Sequence, residues 1–462
     1  MTKPIHAILI GAGNRGAQSY APYALALPDQ LKFVAVAEPI EIRRKVFAEQ
    51  HQIPEEMQFE SWEPLLEKPA MGEVALICTQ DWQHTAPAVA AMRAGYHVLL
   101  EKPMANKMDE CRLLLDVSQE TQRQLRICHV LRYTPHFIKL RELVQSGVLG
   151  QIVQVDHREN VSFWHMAHSY VRGNWRNESE SSPMILAKCC HDLDILPWIL
   201  GQQPTQLASV GSLIHYKAEN APEGAPQRCL DGCPAAQTCP HYAPHLYLEM
   251  APFWNSIADT SKGFTRWASH QYAENAPLVR ALSWVIPTLK QIPNYTGWPL
   301  TILTQNPTPE SIEEALKTGP YGRCVYHCDN DVVDHQVVMM QFDDQSSVTL
   351  TMHGHSHYEY RSTKIEGTHG RLLAEFGNGG AWIKLDEHRT DWHMEFDTGA
   401  ELGEGHGGGD FQLVNSFLKS VRDGSFEESL TGTREALQSH MLAFAAEESR
   451  LDGKFIEQNW WS

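Results

Sequence analysis

The stretch "HAILIGAGNRG" (His6 to Gly16) narrows the fold more than any other part of the chain. A short apolar run enters three glycines, Gly11, Gly13 and Gly16, in a G-x-G-x-x-G pattern. Such glycines let backbone amides approach a pyrophosphate at the positive end of the following helix. The pattern carries weight only where a strand precedes it, a helix follows it, and an acidic residue closes the next strand. The next strand, "KFVAVAEP", ends on Glu38, placed to accept hydrogen bonds from an adenosine ribose diol. Glu38 would repel the extra phosphate of NADP and so favours NAD, although Arg43 and Arg44 follow closely and oppose that preference. Asn14 and Arg15 complete the turn and are assigned to the cofactor with it.

The rest of the first third repeats the alternation. "EVALICT" reads as a strand, "HTAPAVAAMRAG" as a helix, "YHVLLEKP" as a strand, "MDECRLLLDVSQETQ" as a helix and "LRICHVLRY" as a strand. Strands alternating with helices of this length predict βαβ units and a parallel sheet, here over residues 1–134. Beyond residue 135 the period changes to two. "GQIVQVDHREN", "HQVVMMQFDD", "QSSVTLTMHGHS" and "GRLLAEF" alternate apolar and polar residues, as in antiparallel sheets with one face in water. The expected fold class is α/β plus α+β: an N-terminal dinucleotide-binding domain, then a substrate and oligomerisation domain over 135–462 on a large, mostly antiparallel sheet. A Pro-, Cys- and Tyr-rich stretch from about 217 to 320 interrupts it and reads as an insertion of loops and short helices. "DFQLVNSFLKSVRDG" and "GTREALQSHMLAFAAEESRL" read as two amphipathic helices.

Charge excludes some partners. With 38 basic and 56 acidic residues the formal charge is −18, which disfavours nucleic-acid phosphates and anionic membrane surfaces. The N-terminus shows no leader-type apolar stretch, and ten cysteines in 462 residues suit a reduced compartment. We therefore expect a cytoplasmic protein.

Taken together, "GAGNRG", "TQDWQHTAPAVAAMRAGYHVLLEKPMA", "HVLRYTPHF", "SGVLGQI" and "HDLDILPWILG" resemble the Gfo/Idh/MocA oxidoreductase family, and "DHQVVMMQFDDQSSVTLTMHG" extends the match into the later sheet. The resemblance implies a Rossmann domain, a nicotinamide cofactor, and oxidation or reduction of a sugar-like hydroxyl or ketone. It also implies roles. Lys102, in "LLEKP", matches the lysine that stabilises a developing alkoxide, and Glu101 matches a cofactor contact. The Lys–Pro bond is typically cis in the family. Thr79, Asp81 and His84 of "TQDWQH" and the Trp175–Arg176 pair are likewise assigned to the cofactor.

The second half of the site is expected from "MILAKCCHDLDILPWILG". Family members commonly carry Asp-x-x-x-His here, with the histidine as general acid/base. His191 and Asp194 match the histidine and the Asp that follows it, but Ala187 stands where the usual carboxylate would be. Lys188 lies three residues before His191, on the same face of a helix. We expect it to replace the carboxylate as a ligand for a substrate hydroxyl, with Asp192 beside it. "ENVSFWHMAHSYVRGNWRN" is dense in groups that stack on sugars or donate to hydroxyls, and His165, His168 and Arg172 are taken as substrate contacts. No third ligand follows His165 and His168 at a fixed spacing, so no catalytic metal is expected there.

Three functions fit. The first is an NAD-dependent dehydrogenase of a sugar, cyclic polyol or glycoside. The second is a redox-neutral, NAD-dependent glycosidase of the same fold. The third is a non-catalytic NAD-binding sensor. A homo-oligomer, dimer or tetramer, is the expected assembly. "CLDGCPAAQTCPHYAP" places Cys229, Cys233 and Cys239 close to His241. Three thiols and an imidazole suit zinc, but the spacings are irregular, and the expectation is no metal.

Overall fold

The computed structural model describes residues 3–261, 263–377, 380–390, 392–399, 406–425 and 432–457. Six strands form the first sheet: β1 (Ile5–Ile10), β2 (Leu31–Ala37), β3 (Gln58–Phe59), β4 (Val74–Ile77), β5 (His97–Leu100) and β6 (Leu125–Ile127). They run parallel in the order β3-β2-β1-β4-β5-β6. The order reverses beside β1, which opens the crevice at the carboxyl ends of β1 and β4 where doubly wound sheets bind ligands. The strands are short continuous apolar runs because helices cover both faces. Val74–Ile77 and His97–Leu100 are buried at every position.

The strand expected over "LRICHVLRY" is only three residues long, and Val130–Tyr133 turns into a 3-10 segment. Thr134 then caps the helix Pro135–Gln145 by accepting the N–H of Phe137, which redirects the chain toward the second sheet.

That sheet has nine strands: β7 (Ile152–Ser162), β8 (Pro204–Ser212), β9 (His335–Phe342), β10 (Ser347–Ser356), β11 (Tyr360–Gly367), β12 (Gly370–Gly377), β13 (Gly380–Glu387), β14 (His393–Asp397) and β15 (Ile456–Glu457). The order is β14-β13-β12-β11-β7-β10-β9-β8-β15, antiparallel except for the β7–β10 pair. Its inner face packs Val155, Val338, Met340, Leu350, Ile365 and Leu372 against the helix Cys190–Leu200. Leu193, Ile195, Leu196 and Ile199 of that helix are at most 2% exposed. At about 1.5–3 kcal/mol for each buried aliphatic side chain, this packing fixes the helix that carries His191. Gly201, at φ +73°, ends the helix in the left-handed conformation that glycine adopts without strain.

The insertion carries short helical stretches: Gly263–Leu282 is two of them meeting at Asn275, whose φ of −146° and ψ of 66° are not helical, two residues before Pro277. One feature departs from the sequence reading. The two C-terminal helices, Gly409–Asp423 and Thr433–Asp452, return to the first sheet. Leu413, Val414 and Phe417 join one side of its core, and Ala436, Leu437 and Met441 the other.

Candidate active site

The glycine turn is built for close approach. Gly11 sits at φ +92°, and a Cβ there would lie 2.6 Å from the carbonyl oxygen of Cys78 on the neighbouring strand. A Cβ on Gly16 would fall 2.2 Å from the Gly11 carbonyl oxygen, whereas one on Gly13 would meet nothing within 4 Å. The first and third glycines are thus required by packing, and the second faces open space where a ligand's phosphates can approach. Asn14 opens the helical segment Asn14–Tyr20 and is exposed.

Glu38 ends β2 almost fully buried. Its carboxylate accepts the N–H of Ala12 at 2.8 Å and that of Ile40 at 3.0 Å. Arg44, one of the two arginines that could have favoured NADP, donates to the Glu38 carbonyl instead. These residues fit a dinucleotide with an unphosphorylated ribose. When bound, such a cofactor accepts or donates the hydride.

Arg15 is a brace. Its guanidinium binds Glu101 and Tyr20, and it pairs with Asp410 of the C-terminal helix at 2.7 Å. Glu101 also accepts from the Tyr20 hydroxyl at 2.7 Å and from the Lys102 N–H at 2.6 Å. Burial pushes the Glu101 carboxyl up, but Arg15, Lys102 and these hydrogen bonds outweigh it and hold the group below its ordinary range. Glu101 thus stays ionised at the end of β5 and fixes the turn that presents Lys102.

The Lys102–Pro103 bond is cis. His84 is buried, with Nδ1 2.7 Å from the Pro103 carbonyl and Nε2 3.2 Å from that of Thr79, so it ties the β4 and β5 ends together. Asp81 accepts the indole N–H of Trp175 at 3.0 Å and the Ser182 hydroxyl at 3.3 Å. Arg176 lines an open groove with Gln80, Trp82 and Asn106, its guanidinium held by Asp329 and Glu180.

From this turn Lys102 Nζ donates to the carbonyl of Ala187 at 2.9 Å, reaching the segment that leads into the His191 helix. His191 is 5% exposed and meets His129 edge to face, with ring centroids 5.8 Å apart. Burial, with Arg132 and Lys102 nearby, holds His129 well below its ordinary pKa, so it stays neutral. Asp194 receives two hydrogen bonds from Arg132, at 2.6 and 2.7 Å, and locks the helix beneath His191.

Lys188 is not a bare ligand for substrate. Its ammonium lies 2.5 Å from Glu359 and 3.2 Å from Glu159. Burial lowers the Lys188 pKa, yet the two carboxylates overcome this and keep the lysine charged. Glu359 also meets His165 Nδ1 at 2.6 Å, and His165 and Lys188 together hold its carboxyl far below the usual range against burial. Spatially, Glu359 brings to this site the carboxylate that Ala187 lacks in sequence. Nothing in "HSHYEYRS" singled it out, because it arrives from the loop before β11.

Three of the expected substrate contacts lie in the interior. Asp192 is fully buried and pairs with His157 at 2.9 Å and Arg361 at 2.8 Å. His168 is 2% exposed, meets the Tyr247 hydroxyl at 3.0 Å and stacks on Tyr321, and burial keeps it neutral. Arg172 is 1% exposed and donates to the carbonyls of Arg323 and His241. The spacing of polar residues in this segment could not separate the half-buried His165 from its two interior neighbours. Among the described residues no three His, Cys, Asp or Glu side chains are grouped so as to hold a metal ion.

The fold and site define an NAD-binding oxidoreductase with a Rossmann domain and a second domain on a mostly antiparallel sheet. Residues 5–129 match the oxidoreductase family model with an NAD-binding Rossmann fold, and 141–241 match that family's C-terminal alpha/beta domain. The chain belongs to the Gfo/Idh/MocA oxidoreductase family. It is similar to an uncharacterized oxidoreductase, YrbE, of Bacillus subtilis, 26% identical over 220 residues that cover 46% of this chain and 59% of that one. It is also similar to an alpha-N-acetylgalactosaminidase of Bacteroides fragilis, 28% identical over 156 residues covering 32% and 35%. The chain thus spans less than two thirds of the length of these relatives. A levoglucosan dehydrogenase solved with NADH and levoglucosan shares the fold, with a TM-score of 0.65 over 99% of this chain and 100% of that one at 15% identity.

Proposed function

We propose that the protein is an NAD-dependent dehydrogenase acting on a CH–OH group of a neutral sugar, cyclic polyol or glycoside. The observation that carries this reading is the Lys102 ammonium reaching the Ala187 carbonyl from the end of β5, which brings a cation and the His191 helix to the crevice where the glycine turn opens. Lys102 stabilises the alkoxide that develops as hydride leaves, and His191 takes the hydroxyl proton. Gly11, Gly13, Glu38 and the β4 end at Thr79 hold the cofactor, and Arg15, Asp81, His84 and Trp175 brace the turns around it.

Charge matching supports a neutral substrate. Lys188 is balanced by Glu359 and Glu159, and Arg361 by Asp192 and Glu159. Neither leaves a spare cation for a carboxylate or phosphate. Glu359, His165 and Lys188, all partly open, bind the hydroxyls remote from the reacting carbon.

The likeness to an alpha-N-acetylgalactosaminidase favours one second reading, a glycosidase that oxidises its sugar transiently and regenerates NAD. NAD reduction screened against inositols, aldoses and alkyl glycosides tests both. Net NADH from a free polyol or aldose supports the dehydrogenase, while aglycone release without net NADH replaces it with the glycosidase. Absence of turnover on every class would make the protein a sensor.

No described helix is long and apolar enough to cross a membrane. Our further reading is a cytoplasmic homo-oligomer of chains divided near residue 134. The outer face of the second sheet exposes Val210 and Met339 on adjacent strands, apolar surface suited to a second copy.

A further inference from the structure

The insertion packs along the segment that follows β7. Phe253 meets Trp164 edge to face with ring centroids 6.1 Å apart, and the Tyr247 hydroxyl lies 3.0 Å from His168 Nδ1. From Trp164 to Arg172 every residue is buried except His165, whose side chain keeps 20% of its surface open. The burial of this segment thus breaks at one position, and that position is bonded to Glu359.

The insertion residue beside this break is Trp298. Its indole lies 5.5 Å from the His165 ring, centroid to centroid, at an interplanar angle of 77°. Trp164 and His168 also hold it, at 5.4 Å each. Tyr295 donates its hydroxyl to the Trp298 carbonyl at 2.8 Å and packs on Phe253, so the backbone is pinned as well. A ring held in this way has a fixed place, yet Trp298 is only half-buried. Leaving part of an indole open forgoes the large stabilisation its burial would bring.

A sugar or cyclic polyol presents two kinds of surface. Its hydroxyls project around the ring edge and need donors and acceptors, while the C–H groups of its faces are apolar and stack on aromatic rings. Glu359, His165 and Lys188 offer the first kind of contact and carry charges that balance one another. None of them offers the second. Trp298 stands against the same His165 and does.

We propose that Trp298 is a specificity-determining residue that stacks on one face of a cyclic sugar or polyol while Glu359, His165 and Lys188 bind its hydroxyls. The assignment rests on the carbohydrate reading above, but it holds for the dehydrogenase and for the glycosidase alike, since both must seat the ring. It also gives the insertion a function: the loop-rich stretch carries the platform that selects ring substrates over open-chain ones.

Kinetics of Trp298→Phe and Trp298→Leu with glucose, galactose, methyl glucoside and myo-inositol, at saturating NAD, test it. Both replacements keep apolar bulk against Trp164, but only phenylalanine keeps a ring face. Leucine should raise KM about tenfold and leave kcat within a few-fold. Phenylalanine should keep KM within about threefold of the unmutated enzyme. NAD affinity and Tm should be alike in the two variants. An unchanged KM in Trp298→Leu overturns the proposal. So does an equal loss in both variants with a fallen Tm, which would make the indole a packing residue only. If none of the four compounds is turned over, isothermal titration of each into the NAD-loaded chain separates the two readings. Binding that leucine weakens and phenylalanine keeps would remove the dehydrogenase and retain the platform, whereas no binding of any compound overturns the platform too. If Trp298→Leu fails to fold, the full chain labelled with fluorotryptophan decides. The resonance missing from Trp298→Phe should shift when the sugar binds, and one that stays in place overturns the proposal.

Discussion

The Glu38 carboxylate accepts the N–H of Ala12 at 2.8 Å, so the acid that ends β2 is built into the glycine turn that ends β1. The carboxylate therefore stands at a fixed place beside the phosphate-binding backbone. A 2′-phosphate brought there would meet a buried negative charge, and Arg44 is turned to the Glu38 carbonyl rather than toward that phosphate.

We expect NAD to bind more tightly than NADP. Glu38→Ser should narrow the gap by roughly tenfold or more, the scale of one hydrogen bond to a charged group. Fluorescence titration of both cofactors against both proteins measures this. A preference for NADP in the unmutated protein would mean that Arg43 reaches the phosphate position.

Lys102→Met should leave the fold and NAD affinity in place while lowering turnover at least about a hundredfold, the usual contribution of a group that stabilises charge in the transition state. Circular dichroism and NAD titration report the first part, and kcat the second. Turnover within a few-fold of the unmutated enzyme would remove the ammonium from the reaction.

His191→Ala should abolish most activity, read as kcat with the best polyol or sugar at saturating NAD. Turnover within a few-fold of the unmutated enzyme would assign proton transfer elsewhere, with the half-buried His165 next in line.

Much of this arrangement was legible in the sequence. The glycine turn, Glu38 and the Lys102 strand end are local, because a strand, its turn and its terminal residue are read within a dozen positions. The interior partners were not. Asp192 and Lys188 have no counter-charge nearby in the sequence: Arg361 and Glu359 come from or beside β11, and Glu159 from β7. The antiparallel β7–β11 pairing sets Glu159 opposite Arg361, a register that sequence alone does not reveal. Of the two C-terminal helices only Gly409–Asp423 is amphipathic as expected; Thr433–Asp452 is buried on nearly every side, with Ala436, Leu437 and Met441 in the first domain's core and Leu442, Ala443 and Ala446 in the second's.

One of those helices predicts a pH effect on stability. His440 is buried and can be bonded only as the neutral ring: Nδ1–H donates to the Ala436 carbonyl at 2.7 Å, and Nε2 accepts the N–H of Met104 at 2.6 Å. Burial, then the nearby His129 and Lys102, push its pKa down to about 3, against the opposing pull of Asp194. An unfolded histidine titrates near 6.5, so below that pH the unfolded chain binds a proton that the fold refuses. The contribution to stability is complete above pH 6.5 and is lost as pH falls toward 3, by about 1.4 kcal/mol at one unit below 6.5. His440→Gln should be less stable at pH 7.5 but should lose less on acidification to pH 5.5. Equal losses of Tm in the two proteins would place the acid sensitivity elsewhere.

The last prediction concerns Glu359, the carboxylate that reaches the site from outside the expected motif. Its side chain is 26% exposed and that of Lys188 is 12%, so both stay partly open to solvent while paired with Glu159 and His165. Hydroxyls remote from the reacting carbon contact such a pair equally in the ground and transition states. Losing that contact should therefore raise KM and leave kcat nearly unchanged. Glu359→Gln keeps the shape, removes the charge, and leaves Lys188 paired with Glu159. We expect KM for the best polyol or sugar to rise about tenfold to a hundredfold, the cost of a hydrogen bond to a charged group, with NAD affinity unaltered. An unchanged KM in a folded, active variant would reduce Glu359 to a structural partner of Lys188. A fall in kcat at constant KM would move it into the chemical step.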